Sequence, residues 1–94
     1  MTRPAIAQRQ KEKVLVFDGA MGTMLLNYGF PGGCSEALNL NDPDLIKKIH
    51  QEYMLAGADV IETNTFGANK YKLLSHQLQN RVHELNLLGA KIAR

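Results

Sequence analysis

Two short apolar segments, each followed at once by small polar residues and glycine, constrain this chain more than any other feature of its sequence. The first, residues 14–17, reads Val-Leu-Val-Phe and runs into Asp18 and Gly19. The second, residues 59–63, reads Asp-Val-Ile-Glu-Thr and runs into Asn-Thr-Phe-Gly. Apolar runs of this length are typical of strands buried on both faces of a parallel sheet. We therefore expect two such strands, whose polar ends form one ligand site.

Helical patterns separate and follow the two strands. Asn41 or Asp42 can cap a helix whose first turn holds Pro43, and Gly57 is suited to end that helix. Further helical patterns cover residues 21–28, 70–74 and 79–94, with a break near residues 75–76. Residues 34–40 are ambiguous and are assigned no regular structure. A strand–helix–strand order of this kind predicts a parallel pair joined by a right-handed crossover.

The 94 residues suffice for one small core, but two parallel strands leave both edges of a sheet open. The last helical pattern also reaches residue 94 without a glycine or asparagine stop. Both features predict that the chain is the first part of a larger α/β domain, since a complete eight-fold barrel takes about 250 residues.

Composition argues against several classes of function. The net charge of +2 is scattered, which disfavours a nucleic-acid partner. No apolar run approaches the roughly 20 residues that span a bilayer, so no membrane partner is expected. The single cysteine suits a reducing cytoplasm and rules out an internal disulfide. Residues 1–13 are predicted to form a polar leader, and residues 14–94 the folded part.

Three stretches together resemble the homocysteine S-methyltransferase family. They are Asp-Gly-Ala-Met-Gly-Thr at residues 18–23, Cys-Ser-Glu-Ala-Leu-Asn-Leu at 34–40, and the segment from Ile49 to Asn69 that contains Gly-Ala-Asp-Val-Ile-Glu-Thr-Asn-Thr-Phe-Gly. The resemblance covers roughly residues 14–94. Within the family, residues 34–40 look most like two subgroups, the bifunctional homocysteine methyltransferase/methylenetetrahydrofolate reductases and the first barrel of cobalamin-dependent methionine synthases.

The resemblance implies the N-terminal part, two strand–helix units, of a (β/α)8 TIM barrel. It also implies a zinc ion, held by three cysteine thiolates, that activates the thiolate of homocysteine for methylation to methionine. Cys34 does not match a ligand position, so the zinc ligands are expected in a C-terminal part absent from this chain. No catalytic or metal-binding residue is therefore assigned here. The methyl donor stays open, with methylcobalamin and methylfolate among those that the family uses.

The resemblance favours a role in homocysteine binding for residues at the ends of both strands. Asp18 would orient the amino group of homocysteine, although it could instead cap the following turn. Backbone amides at Gly19 and Ala20 would reach the carboxylate, although the glycines could simply form a tight turn. Alternation puts Thr63 and Thr65 on one side and Asn64 on the other. The candidate substrate-binding residues are thus Asp18, Gly19, Ala20, Thr63, Asn64 and Thr65.

Two other hypotheses stay open at this point. The chain could be a truncated, non-catalytic product whose exposed strand edges make it a pairing or interaction module. It could also belong to a different α/β barrel that binds a small anionic molecule, if the motifs are coincidental. Under each hypothesis the isolated chain is expected to be inactive as a methyltransferase.

Overall fold

Six α-helices make up most of the regular structure in the computed structural model, which describes residues 6–11 and 13–94. Two single 3-10 turns, Ser35–Ala37 and Gln79–Arg81, lead into the third and sixth helices. The helices are α1 (Ile6–Gln10), α2 (Met21–Asn27), α3 (Leu38–Asn41), α4 (Pro43–Leu55), α5 (Lys70–Leu74) and α6 (Val82–Ala93). Helix α1 falls within the predicted leader, most of the rest of which lies outside the described residues.

The two predicted strands pair with each other, but over a single position. Phe17 and Val60 form an isolated parallel bridge. The amide of Asp18 donates to the carbonyl of Val60 at 3.0 Å, and the amide of Asp59 donates to the carbonyl of Val16 at 2.7 Å. The parallel direction is as predicted. No longer ladder forms in the described ranges, so the prediction of two regular strands is wrong for this structure.

The expected burial of the first segment on both faces is also wrong. Val14 is 87% exposed and Val16 is 55% exposed, and Phe17 is also exposed. The physical reason is that a strand becomes buried only when neighbouring strands and helices cover it, and each of these segments has one partner at most. The described chain therefore carries an apolar surface, formed by Val14, Val16 and Phe17, along this edge.

Helix α4 follows its sequence signals closely. The side chain of Asp42 accepts a hydrogen bond from the amide of Leu45 at 3.4 Å, and Pro43 occupies the first turn, as predicted. Gly57, with a φ of 109°, takes the left-handed conformation that ends the helix. The break after α5 is also confirmed, since Gln77 has a φ of 60°.

The core consists of two small groups of buried side chains. The first is formed by Leu25 of α2 with Ile46 and Ile49 of α4, and Tyr53 packs against it. The second is formed by Ala68, Leu73 of α5 and Leu85 of α6. Since burial of a leucine or isoleucine side chain contributes about 1.5–3 kcal/mol, these residues provide much of the apolar stabilisation. The first group joins α2 to α4, and the second joins α5 to α6.

Residues 34–40 are more ordered than the sequence suggested. They form the turn Ser35–Ala37 and the start of α3, whereas no regular structure was predicted. The reason lies in long-range hydrogen bonds, because Asn39 is 1% exposed and bonds to residues far away in the sequence. None of the helices in the described ranges has the length and the apolar character that a bilayer crossing requires.

Asp59 joins the start of the second segment to the first. One carboxylate oxygen accepts a hydrogen bond from Lys13 Nζ at 2.9 Å, and the other accepts one from the amide of Val16 at 3.0 Å. The hydrogen bond and charge of Lys13, with the Val16 amide, hold the pKa of Asp59 below its ordinary value. The ionised carboxylate is therefore stabilised by folding.

We predict that this contribution to stability is fully present above the ordinary aspartate pKa and is lost as pH falls through the lowered folded pKa. Asp59→Asn should reduce the free energy of unfolding at pH 7, and the difference from the parent should shrink as the pH falls below 4, roughly the ordinary pKa. Urea titrations between pH 2 and pH 7 measure this. A difference independent of pH would contradict the assigned role of the charge.

Candidate functional site

A cleft of about 330 Å³ opens where the two paired segments end. Its walls come from the loop after the first segment, the loop after the second, and the 3-10 turn before α3. All the candidate residues from the sequence line it, together with neighbours from the three walls: Asp18, Gly19, Ala20, Met21, Gly22, Ser35, Glu36, Glu62, Thr63, Asn64, Thr65 and Phe66. The fold thus brings the six candidates to one place.

Asp18 ties the two segments together at the mouth of the cleft. Its Oδ2 accepts a hydrogen bond from the backbone amide of Glu62 at 3.2 Å. Its Oδ1 is buried and has no hydrogen-bond partner among the described protein groups. The two oxygens therefore have different surroundings, and only Oδ2 accepts a hydrogen bond from the other segment.

The loop at Gly19 and Ala20 rests on a tyrosine of α4. The hydroxyl of Tyr53 donates a hydrogen bond to the carbonyl of Ala20 at 2.7 Å. A Cβ added to Gly19 would lie 2.9 Å from the Tyr53 ring, which is closer than real Cβ contacts. Glycine is therefore required here by the approach of the ring, and the loop is held from beneath while both residues stay exposed to the cleft.

Asn64 is held by a second asparagine rather than left free to move. It is 5% exposed, and its Nδ2 donates to the carbonyl of Ser35 at 2.9 Å and to Oδ1 of Asn39 at 3.0 Å. In return, Nδ2 of Asn39 donates to the carbonyl of Asn64 at 2.8 Å and to that of Leu85 at 3.2 Å. Both N–H groups of the Asn64 side-chain amide are therefore used in hydrogen bonds within the protein.

Thr63 and Thr65 lie on the same side of the chain. Their hydroxyl oxygens are 2.6 Å apart and share a hydrogen bond. The methyl side of Thr65 faces α6, where a Cβ added to Gly89 would lie 2.7 Å from Thr65 Cγ2. Thr65 is thus packed against a helix on one side and hydrogen bonded to Thr63 on the other.

Sequence reasoning missed Glu36, a buried carboxylate in the cleft wall. Its Oε2 accepts hydrogen bonds from the amide of Gly67 and from the hydroxyl of Ser35, each at 3.2 Å. A Cβ added to Gly67 would lie 2.9 Å from Oε1, so this glycine is also required by close approach. No local pattern marks Glu36, because its partner at Gly67 lies 31 residues away in the sequence.

Cys34 is half-buried beside this carboxylate. Its Sγ donates to Oε1 of Glu36 at 3.7 Å. Burial raises the pKa of the Cys34 thiol, which keeps it protonated at neutral pH, whereas metal binding requires the thiolate. Among the described residues, no group of three or more histidine, cysteine, aspartate or glutamate side chains is placed to hold a metal ion. This part of the chain does not fit a zinc centre.

The charge of the cleft is acidic. Among the described residues, its lining contains the carboxylates of Asp18, Glu36 and Glu62 and no lysine, arginine or histidine. The carboxylate of Glu36 is already hydrogen bonded to the protein, whereas Glu62 is exposed. Gly19 and Ala20 also line the cleft, and backbone N–H groups are donors of the kind that a carboxylate requires. Such a site can hold a molecule that carries both an ammonium and a carboxylate group.

Comparison with known proteins gives a family match over most of the chain. Residues 15–94 match the sequence profile of the family described as homocysteine S-methyltransferase. The chain belongs to the homocysteine S-methyltransferase family. The resemblance found in its motifs is thereby confirmed, and it extends over all of the cleft-lining residues.

Two relatives are methionine synthases from mycobacteria, as the first-barrel resemblance predicted. The one from Mycobacterium tuberculosis (strain ATCC 25618 / H37Rv) is 43% identical over 90 residues, and the one from Mycobacterium leprae (strain TN) is 42% identical over 90 residues. Each alignment covers 88% of this chain but 8% of the relative. The chain therefore spans about 8% of the length of the curated relatives that it matches.

Packing against Gly89 gives a stability prediction for the site. Gly89→Ala places a methyl group against Thr65 and Asn39, and we expect it to lower the free energy of unfolding by about 1–3 kcal/mol. Gly22→Ala is the matched control, since Gly22 is also helical and its added Cβ would meet nothing within 4 Å. That control should leave stability unchanged or raise it by up to about 1 kcal/mol. Urea unfolding measures both, and equal effects would contradict the close approach.

Proposed function

We propose that this chain forms one wall of the homocysteine pocket of a methyltransferase that converts homocysteine to methionine. The observation that carries the proposal is the cleft itself, in which Asp18, Gly19, Ala20 and residues 63–65 meet at one end of a parallel pair. Membership of the homocysteine S-methyltransferase family supports the choice of substrate. Similarity to methionine synthases supports the choice of product.

Within this proposal, the amino-acid end of homocysteine binds between the two loops. Its ammonium group faces Oδ2 of Asp18, which has a second lone pair beyond the one used by the Glu62 amide. Its carboxylate faces the backbone amides of Gly19 and Ala20, which Tyr53 holds in place through the Ala20 carbonyl. The hydroxyls of Thr63 and Thr65 and the wall at Asn64 limit the remaining space.

Zinc and the methyl donor enter the proposal from outside these 94 residues. With one cysteine in the whole sequence, the chain has no set of three thiolates, and the structure gives Cys34 a protonated thiol beside Glu36. Zinc would lower the pKa of the homocysteine thiol so that the thiolate is the nucleophile. The donor is methylcobalamin, a methylfolate or another methyl carrier, borne on a separate module or free in solution.

The proposal also includes a (β/α)8 barrel in which the two paired segments are neighbouring strands. The exposed apolar residues Val14, Val16 and Phe17 support it, because they are suited to burial beneath further strands and helices. A cytoplasmic location completes the proposal, in keeping with the single, protonated thiol. On its own, the chain would bind homocysteine weakly and transfer no methyl group.

A second candidate function rests on the same exposed surface. If the chain acts as a non-catalytic interaction module, Val14, Val16 and Phe17 would pair with another chain through the open edge. Sedimentation of the purified chain separates the two candidates. Stable self-association that Val16→Lys abolishes would favour the interaction module, whereas a monomer at high concentration would count against it.

Homocysteine binding is tested on the isotope-labelled chain by NMR. We expect homocysteine to shift the backbone amide signals of Gly19, Ala20 and residues 63–65, with a dissociation constant in the millimolar range, about 4 kcal/mol of binding free energy. Asp18→Asn should abolish these shifts, because it removes the charge that faces the ammonium group. The control is Asp44→Asn, which removes an exposed carboxylate of α4 outside the cleft.

Methyl transfer is tested by grafting. This chain replaces the matched 90-residue segment of the Mycobacterium tuberculosis methionine synthase, and methionine formation and bound zinc are measured. The graft should form methionine, and the graft with Asp18→Asn should need at least about tenfold more homocysteine, which corresponds to about 1.4 kcal/mol. Its zinc content should not change. Loss of zinc at unchanged homocysteine affinity would contradict the proposed role of Asp18.

A further inference from the structure

Helix α4 carries two polar side chains that interact with the Asp18–Ala20 loop, one by direct contact and one through charge. Tyr53 is one of them, and its ring and hydroxyl contact Gly19 and Ala20. His50 is the other, three residues earlier and therefore on the same face of the helix. His50 is 3% exposed and lies beside Ile49 of the core. The mechanism proposed above gives Tyr53 a task but leaves this buried imidazole unused.

Three buried atoms in this region lack a hydrogen bond. They are both ring nitrogens of His50 and Oδ1 of Asp18, none of which has a partner among the described protein groups. Buried polar atoms are paired in nearly all native proteins, either with protein or with ordered water, because leaving them unpaired costs free energy. Asp18 Oδ1 accepts hydrogen bonds and a neutral imidazole can donate one, so an ordered water between the two groups would satisfy both.

The charge of the Asp18 carboxylate acts on the imidazole of His50. Burial lowers the pKa of His50, and the negative charge of Asp18 opposes that effect by raising it. The imidazole is therefore neutral at pH 7, with one N–H donor and one acceptor nitrogen. A neutral imidazole can donate one hydrogen bond to a carboxylate without placing a second charge in the core.

We propose that His50 is a positioning residue for Asp18. One ring N–H holds Oδ1 through one ordered water, while the amide of Glu62 holds Oδ2. The carboxylate is then fixed from both sides, and the remaining lone pair of Oδ2 is directed to the cleft. The consequence for the ligand rests on the proposed function, whereas the pairing of His50 with Asp18 does not.

The pairing is tested without any ligand, by long-range proton–nitrogen NMR of the imidazole rings in the labelled 94-residue chain at pH 7.5. We expect a single tautomer for His50 and a slowly exchanging ring proton. Asp18→Asn should shift that proton signal or remove it. Asp44 is exposed on the same helix as His50, and Asp44→Asn should leave the signal unchanged. A His50 signal that is the same in both variants would overturn the proposal.

A second pair of variants covers the case in which Asp18→Asn does not fold. His50→Leu removes the donor, and His50→Gln keeps an N–H donor on a side chain of similar reach. The readout is the amide signal of Glu62, which reports the position of Oδ2. We expect this signal to move in the leucine variant and to return towards its parent position in the glutamine variant. Equal displacement in both would assign His50 to core packing alone.

The dissociation constant of homocysteine tests whether the pairing of His50 with Asp18 affects ligand binding in the cleft. His50→Leu should raise the dissociation constant about tenfold, and His50→Gln should recover most of that loss. His83→Leu is the control, because His83 is an exposed histidine of α6 outside the cleft lining. If the parent chain fails to bind homocysteine, the proposed function fails, and the ring-proton result still decides the role of His50.

Discussion

The buried pair of amides formed by Asn39 and Asn64 is the interaction on which the rest of the structure depends. Through four hydrogen bonds, it connects the turn at Ser35, the loop after the second paired segment and the carbonyl of Leu85 in α6. An uncharged amide can satisfy both donors and acceptors at such a junction, and a hydrophobic replacement would leave buried carbonyls unpaired. The cleft has a defined wall because this junction fixes where the second loop lies.

Three glycines allow side chains to contact the backbone around the site more closely than any residue with a Cβ would. Gly19 allows the Tyr53 ring to reach the first loop, Gly67 allows Glu36 to reach the second loop, and Gly89 allows Thr65 to lie against α6. At each position an added Cβ would come within 3.0 Å of the facing side chain. The loops are thus held by side chains from helices and turns that contact their backbone directly.

Features that depend on residues close together in the sequence were predicted correctly. Helix α4 was predicted with its cap and its stop, because the Asp42 side chain and the left-handed Gly57 act within one turn of the helix. The strands were predicted with the right partner and direction but the wrong length and burial, because a ladder depends on neighbours far away in the sequence. Glu36 and Asn39 were missed for the same reason: their partners at Gly67 and Leu85 are 31 and 46 residues away. The six candidate residues were brought together because each follows a segment that the bridge aligns.

The contact of Tyr53 with the first loop gives the molecule an optical property of its own. The sequence contains three tyrosines and no tryptophan, so ultraviolet emission comes from tyrosine alone. Tyr71 is exposed and Tyr28 faces Glu52 on the surface, whereas Tyr53 is half-buried with its hydroxyl on the Ala20 carbonyl. Phenol emission is quenched when the hydroxyl bonds to a carbonyl. The brightness of the unlabelled chain therefore responds to the contact of Tyr53 with the glycine loop, together with the contact of Tyr28 with Glu52.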